Sequence, residues 1–341
     1  RVSLEVMRGC TRGCRFCQAG YIYRPVRERK KETLLRQAQE LVDCTGYDEV
    51  SLLSLSTGDY SEVHSLVPEI IDSMESQRVS VSLPSLRLDS FLKEDLEKMQ
   101  SIRKAGLTFA PEAGTQRLRD VINKNVTEED LLRATTDAFS CGWTGVKLYF
   151  MLGLPEETDE DILGLADRAK KVSDAFYRLP KEQRGKALRL TVSASTFVPK
   201  PFTAFQWFPQ VPLDEIRRRQ AILRDALRGI RGVQFQCHLS DLSVLEAAFS
   251  RGDRKLADVL ETAYERGCRF DSWSEHYRPD ACREAFAAHG CTIEDYAQWA
   301  PSLDETLPWS HIDMLVTEDY LKREYKKAMQ GVTTHDCRQG C

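Results

Sequence analysis

No apolar run in these 341 residues approaches the roughly 18 that a membrane-spanning helix needs, and no signal peptide opens the chain. A large excess of either charge is missing as well. The net charge of −4 excludes the basic footprint of a chain that binds nucleic acid over its whole surface. Internal repeats and low-complexity tracts are absent, so neither a repeat array nor a disordered tract is expected. With 42% hydrophobic and 29% charged residues, the chain can bury a full core without disulfide staples. Its eleven cysteines therefore do not describe a small secreted scaffold. A cytoplasmic protein with reduced thiols is the expectation. The chain begins at Arg1, and a strand-like run starts at once, which predicts a missing upstream segment.

What is present has a clear order. Strand-like runs at Val2–Met7, Glu49–Leu55, Val79–Leu83, Leu107–Ala110, Gly145–Leu152 and Leu190–Phe197 alternate with helical patterns. The helices are predicted at Glu32–Cys44, Ser61–Ser76, Ser90–Lys104, Glu128–Ser140 and Asp159–Tyr177. Thr127 with Asp130 and Thr158 with Asp161 fit capped helix starts. Such alternation predicts an α/β fold, a parallel sheet covered by helices. Six strands are too few to close an eight-stranded barrel, so a partial, open (βα)6 barrel over residues 1–210 is predicted, with its chemistry at the strand ends. Residues 211–341 are predicted as a mainly helical extension containing one more strand, Val233–His238. The aromatics Trp273, Tyr277, Trp299 and Trp309 suggest that the extension is packed.

The segment Cys10-Thr11-Arg12-Gly13-Cys14-Arg15-Phe16-Cys17 follows the first strand directly. It puts three thiolates on one tight loop that Gly9 and Gly13 allow to bend. Structural zinc takes four closed ligands, and the next cysteine, Cys44, lies beyond a predicted helix. Three thiolates on a [4Fe–4S] cluster leave one iron open to bind a reactant. Zinc completed by a distant residue, or three buried cysteines, is the alternative from spacing alone. Ten basic residues (Arg1, Arg8, Arg12, Arg15, Arg24, Arg27, Arg29, Lys30, Lys31, Arg36) against three acidic ones make residues 1–36 locally basic. That stretch is either a solvated face or a positive rim around an anionic cluster, cofactor or substrate.

Cys-x3-Cys-x-Phe-Cys after the first strand of a βα series resembles the signature of the radical S-adenosylmethionine (SAM) superfamily. The resemblance implies an enzyme whose open iron chelates the amino and carboxylate groups of SAM. Reductive cleavage of the SAM carbon–sulfur bond then gives a 5′-deoxyadenosyl radical that takes a hydrogen atom from substrate. It further implies SAM contacts at Phe16, near the adenine, and at the turn Ser56-Thr57-Gly58-Asp59, whose backbone would meet the amino group. Ser85 and Arg87 would serve the ribose and carboxylate, and Glu112 in Ala110-Pro111-Glu112-Ala113-Gly114 is the acidic contact. Phe150 to Thr158 is similar to the "GLPxET" segment of several branches, placing Gly153 and Leu154 behind the adenine. An electron donor of flavodoxin or ferredoxin type is the implied partner.

The stretch from Arg8 to Arg29, with Val198–Trp207, Ser250–Asp253, Phe270–Trp273 and Leu307–His311, resembles an uncharacterised bacterial radical SAM family. Its members often carry a cobalamin-binding-type domain ahead of the core, so cobalamin enters only as an implication. Cys337 and Cys341 repeat the spacing of Cys10 and Cys14 and resemble the start of a second, truncated cysteine motif. His335, Cys268, Cys282 or Cys291 could complete a second cluster or zinc site there. His276 and His311 are candidates for a substrate pocket, with buried, satisfied histidines as the alternative. Lys147 and Lys200 are candidate substrate or carboxylate anchors. Methylthio transfer to RNA is a second reading of the reaction, disfavoured because residues 301–341 hold seven acidic against five basic side chains. A metal-binding regulatory or assembly module without turnover is the non-enzymatic alternative.

Overall fold

The structure, a computed structural model, describes residues 1–83, 106–184 and 187–339. The predicted helix at Ser90–Lys104 and the predicted site residues Ser85 and Arg87 lie outside the described residues. So does Cys341.

Two parallel sheets form the frame. In the first, β1 (Val2–Glu5), β4 (Glu49–Leu53) and β5 (Ser80–Ser82) run in the order β1-β4-β5. In the second, β6 (Leu107–Glu112), β7 (Gly145–Leu152), β8 (Arg189–Thr196) and β9 (Val233–Cys237) lie side by side in chain order. This is the partial barrel that the alternation predicts. It differs at both ends. The run Val2–Met7 is not one strand: after β1 the chain peels away, and β2 (Met7–Arg8) pairs antiparallel with β3 (Arg27–Glu28). At the far edge, β9 joins β8 in parallel, so the sheet continues past residue 210.

The alternation along β7 explains which side is core. Val146, Leu148, Phe150 and Leu152 are buried, whereas Lys147, Tyr149 and Met151 on the other face are half-buried. The buried face packs against helices α5 (Glu128–Ser140) and α6 (Asp159–Arg178) through Leu131, Phe139, Ile162, Leu165 and Val172. Phe139 meets Phe176 edge-to-face at 5.1 Å. Both predicted caps form. The Asp130 carboxylate accepts from the Thr127 N–H at 3.0 Å, and the Asp161 carboxylate accepts from the Thr158 N–H at 2.8 Å. On the first sheet, α2 (Lys31–Thr45) and α3 (Val63–Ser73) bury Leu34, Ala38, Leu66 and Ile70 in the same core.

Three helices to which the sequence reading gave no bounds matter for the site. The short α1 (Gln18–Ile22) follows the cysteines, α4 (Gln116–Val121) follows β6, and α12 (Glu318–Met329) returns to both. Between β8 and α12 lie α7 (Leu213–Leu227), α8 (Ser240–Arg251), α9 (Leu256–Glu265), α10 (Pro279–Ala288) and α11 (Ile293–Ala297). Leu223 and Leu227 of α7 enter the main core, and most of the later helices build a second apolar cluster around Ala247, Ala285 and Phe286. Tyr21 of α1 packs with Trp207, Leu307, Trp309 and Leu321, which seats the cysteine loop on the C-terminal region. Trp273 departs from expectation: it is 61% exposed and packs into none of these clusters. No described helix is long and apolar enough to cross a membrane.

Candidate functional site

Cys10, Cys14 and Cys17 lie on the loop between β2 and α1, with Cys17 as the N-cap of α1. All three are free thiols of intermediate burial. The Cys17 N–H donates to the Cys14 carbonyl at 3.1 Å, closing the turn between them. Gly9 has φ +90°, and a Cβ there would stand 2.7 Å from the Tyr23 carbonyl oxygen, so only glycine serves. Burial pushes the Cys17 thiol up to about 11, and the nearby Cys14 and Cys10 sulfurs add to the shift. Cys17 in the free site is therefore a protonated thiol, and a metal that takes its sulfur displaces its proton. Three soft donors on one glycine-shaped loop fit an iron–sulfur cluster with an iron left open.

The loop is held by residues that sequence reasoning missed. Arg15 stands between Cys14 and Cys17 in the sequence and is fully buried. Its guanidinium donates to Glu324 on α12 at 3.2 and 3.1 Å, and to the carbonyls of Asp120, Val121 and Val332 at 3.1, 2.9 and 2.6 Å. Asn123 donates to the Gly13 carbonyl at 2.9 Å and accepts from the Thr334 N–H at 2.8 Å. The Thr11 hydroxyl donates to Asp336 at 2.8 Å, and the Cys337 N–H donates to the Thr11 carbonyl at 3.0 Å. Burial acts to raise Asp336, yet Arg338, Thr11 and Arg12 bring its carboxyl down to about 2. Only part of the locally basic stretch is spent inside the fold: Arg15 is buried and Arg12, Arg24 and Lys31 are half-buried, while Arg1, Arg8, Arg27, Arg29, Lys30 and Arg36 are exposed. Arg12 binds Asp59 and Asp336, Arg15 binds Glu324, Arg8 binds Glu5 and Lys31 binds Glu69.

The predicted SAM contacts fall into two groups. Ser56, Gly58 and Asp59 form a buried turn beyond β4, where the Ser56 hydroxyl donates to Asp59 at 2.6 Å. The Asp59 carboxylate also receives Arg12 at 2.6 Å and Arg338 at 3.2 Å, so its side chain braces the cysteine loop against the tail. Phe16 and Leu154 meet in one apolar cluster with Leu118, Met151 and Phe205. Glu112 ends β6 at φ +69° and pairs with Lys124 at 3.1 Å, and Lys124 stands 6.0 Å from the Phe16 ring. Gly153 turns at φ +86°, and its N–H donates to Glu157 at 2.7 Å.

Residues 4–169 match the family model described as the Radical SAM superfamily. The chain carries a radical SAM domain. An uncharacterised protein of Methanocaldococcus jannaschii, MJ0966, is 35% identical over 258 residues, which cover 76% of this chain and 53% of that protein. The tRNA-2-methylthio-N(6)-dimethylallyladenosine synthase of Syntrophomonas wolfei is 26% identical over 191 residues, 53% of this chain and 42% of that enzyme. The chain spans about half the length of the curated relatives it matches. Among solved structures, Streptococcus suis SuiB superposes with a TM-score of 0.48 at 12% identity, covering 70% of this chain and 49% of that one.

The face of the radical SAM domain's sheet that turns away from its helices is polar. Lys147 stands in register with Thr108 and Thr191, and Thr191 with Gln234; one level further, Tyr149 aligns with Ser193 and Ser193 with Gln236. Lys147 is therefore on the open face, 4.7 Å from the Tyr149 ring. Lys200 is engaged by Glu246 and by Ser250. A cleft of about 730 Å³ reaches the start of α1 at Gln18, next to the cysteine loop, and is lined by Phe202, Asp253, Lys255, Trp309 and His311. Its wall is set by Gln206, which accepts from the Trp309 indole at 2.8 Å and from the Phe202 N–H at 2.9 Å. His311 and His276 are both exposed, contrary to the buried alternative, and His311 alone of the two lines this cleft. Cys337 sits at the cysteine loop, while Cys268 and Cys282 belong to the cluster around Ala247 and Phe286.

Glu157 supplies a pH signature. Burial raises its carboxyl to about 7, against the Gly153 N–H and Arg219, which favour the ionised form. The folded chain then holds a proton that the unfolded chain has released between about pH 4.5 and 7, so this group's contribution is present below that window and is lost as pH rises through it. The loss is on the order of 3 kcal/mol. The melting temperature of the wild type is expected to fall relative to Glu157→Gln between pH 5 and 7. Parallel curves for the two proteins would show that Glu157 does not titrate there.

Proposed function

We propose that Cys10, Cys14 and Cys17 hold a [4Fe–4S] cluster and that the chain uses SAM as a radical source to modify an unreactive C–H bond. The observation that carries this reading is three free thiols on one glycine-shaped loop at the end of the first strands of a radical SAM domain. When bound, the cluster and SAM supply a 5′-deoxyadenosyl radical able to take a hydrogen atom from substrate. The chain's own residues position the partners. Arg15 and Asn123 fix the ligand loop, Phe16 and Leu154 offer an apolar wall for the adenine, and Glu112 with Lys124 offers a charged pair beside it. The turn at Ser56–Asp59 presents backbone to the SAM amino group, and Ser85 and Arg87 serve the ribose and carboxylate. The substrate enters by the cleft at Gln18, His311 and Lys255, and a flavodoxin or ferredoxin delivers the electron.

Anaerobic reconstitution with iron and sulfide, followed by dithionite and SAM, tests the proposal. Release of 5′-deoxyadenosine is expected, and Cys14→Ala is expected to abolish it. A wild type that holds its cluster and leaves SAM intact would instead be a metal-binding module. For the reaction subclass the reading is cobalamin-assisted methylation, carried over from the resemblance. Methylthio transfer is the second reading, favoured by the tRNA and ribosomal protein uS12 methylthiotransferases among the relatives. Dependence of methyl transfer on added cobalamin supports the first, and a product that gains sulfur together with the methyl group supports the second.

A further inference from the structure

Cys268 and Cys282 carry chemistry that the radical SAM site does not use. Gly267, at φ +86°, turns the chain out of α9 into Cys268, and Cys282 lies in the first turns of α10, which opens on Pro279. Both are buried free thiols, and their sulfurs lie 3.6 Å apart. A disulfide would bring them to about 2.05 Å. A zinc-sized ion that takes two thiolates at about 2.3 Å in tetrahedral geometry sets its sulfurs about 3.8 Å apart, close to the separation seen. Asp271 completes the set, with one ligand atom from each of the three residues within 4.8 Å of the others. The Oδ1 atom of Asp271 is buried and has no hydrogen-bond partner among the described residues. A buried carboxylate oxygen with nothing to receive is costly. Two neutral thiols sharing a weak S–H contact leave that oxygen unsatisfied, whereas a cation between the three satisfies all of them.

We propose that Cys268, Asp271 and Cys282 bind a divalent cation of the zinc type, with a fourth position left for water. Two sulfurs and one oxygen select a borderline-soft ion over magnesium or calcium, which take oxygen ligands. The site ties the segment between α9 and α10 to both helices. That segment projects Phe270 and Trp273, 73% and 61% exposed, into solvent.

Cobalt(II) titration of the full chain carrying Cys10→Ala, Cys14→Ala and Cys17→Ala tests the proposal without the iron–sulfur ligands. One equivalent is expected to give a sulfur-to-cobalt charge-transfer band with tetrahedral d–d absorption, and zinc is expected to bleach it. Adding Cys282→Ser is expected to remove the band. Asp271→Asn, which keeps both thiols, is expected to retain charge transfer and weaken binding by roughly tenfold or more; it covers the case in which Cys282→Ser fails to fold. The proposal is overturned by a folded triple variant, checked by circular dichroism, that shows no stoichiometric band. A band that survives Cys282→Ser overturns it too, as does a Cys268–Cys282 disulfide in anaerobically prepared protein. None of these outcomes bears on SAM cleavage.

Discussion

Arg15→Ala is expected to destabilise the chain by about 3–5 kcal/mol, because it breaks a buried ion pair by removing one partner. Glu324 is 1% exposed and would be left buried without its guanidinium, with Lys327 and Thr334 still bound to it among the described residues. Three main-chain carbonyls, those of Asp120, Val121 and Val332, would lose a donor at the same time. For a chain of this length the melting temperature should drop by roughly 4–7 °C. Arg15→Lys should recover little of the loss. An ammonium has three rotatable protons on one nitrogen, whereas the guanidinium reaches the carboxylate from Nε and Nη2, the tail from Nη2 and the end of α4 from Nη1. The functional consequence is specific, since residue 15 lies between the proposed ligands Cys14 and Cys17. Iron bound after reconstitution should fall in Arg15→Ala even at temperatures where the chain remains folded. A variant that melts within about 1 kcal/mol of wild type and loads iron normally would show that the loop is shaped by its own turn and glycines alone.

That ion pair also marks where sequence reading stops. The triplet was legible because its three cysteines fall within eight residues, a spacing that can be read without knowing any distant partner. The strands β4 to β8, the helices α5 and α6 and both capping boxes were legible for the same reason: periodicity and caps are local. Arg15 and Glu324 are 309 residues apart, and Thr11 and Asp336 are 325 apart, so nothing in the local pattern pairs them. A run of basic residues reads as a solvated face or a positive rim until the acids opposite each are known. Asp59 shows this most directly. Its turn reads as a cofactor contact, yet its side chain is engaged by Arg12 and Arg338. The split of Val2–Met7 into β1 and β2 was hidden because the hydrophobic run is continuous while the pairing partner changes from β4 to β3. The sheet's extension to β9 was hidden differently. Val233 and Phe235 alternate with polar residues as on any edge strand, and the sequence does not say which sheet that edge joins.

Gly114→Ala is expected to be the most damaging conservative change near the proposed SAM pocket. Gly114 follows Glu112 and lies directly on the first turns of α6. A Cβ there would overlap the Asp161 carbonyl oxygen and stand 2.5 Å from the Leu165 nitrogen and 2.7 Å from the Gly164 carbonyl carbon. All three are backbone atoms, so no side-chain rotation relieves the clash, and the loop or the helix must move. Overpacking costs about 1–3 kcal/mol where side chains can yield; with backbone on both sides the loss should reach or exceed the top of that range. The same seam carries Asp161, whose carboxylate takes Thr158, Thr115 and Arg117, so separating loop from helix also pulls on the α6 cap. Gly164→Ala is the control from the other side. Its Cβ would meet the Gly114 carbonyl carbon and oxygen at 3.0 Å, a contact that a few tenths of an ångström relieve. Alanine within a helix gains roughly 0.5–1 kcal/mol over glycine, which offsets that contact, so Gly164→Ala should melt within about 1 kcal/mol of wild type. The two alanines add the same methyl to the same seam, and only the first displaces the segment that carries Glu112. A cluster-loaded Gly114→Ala chain should therefore bind SAM more weakly while Gly164→Ala binds it normally. Equal losses in the two would mean that the seam sets stability without setting the pocket.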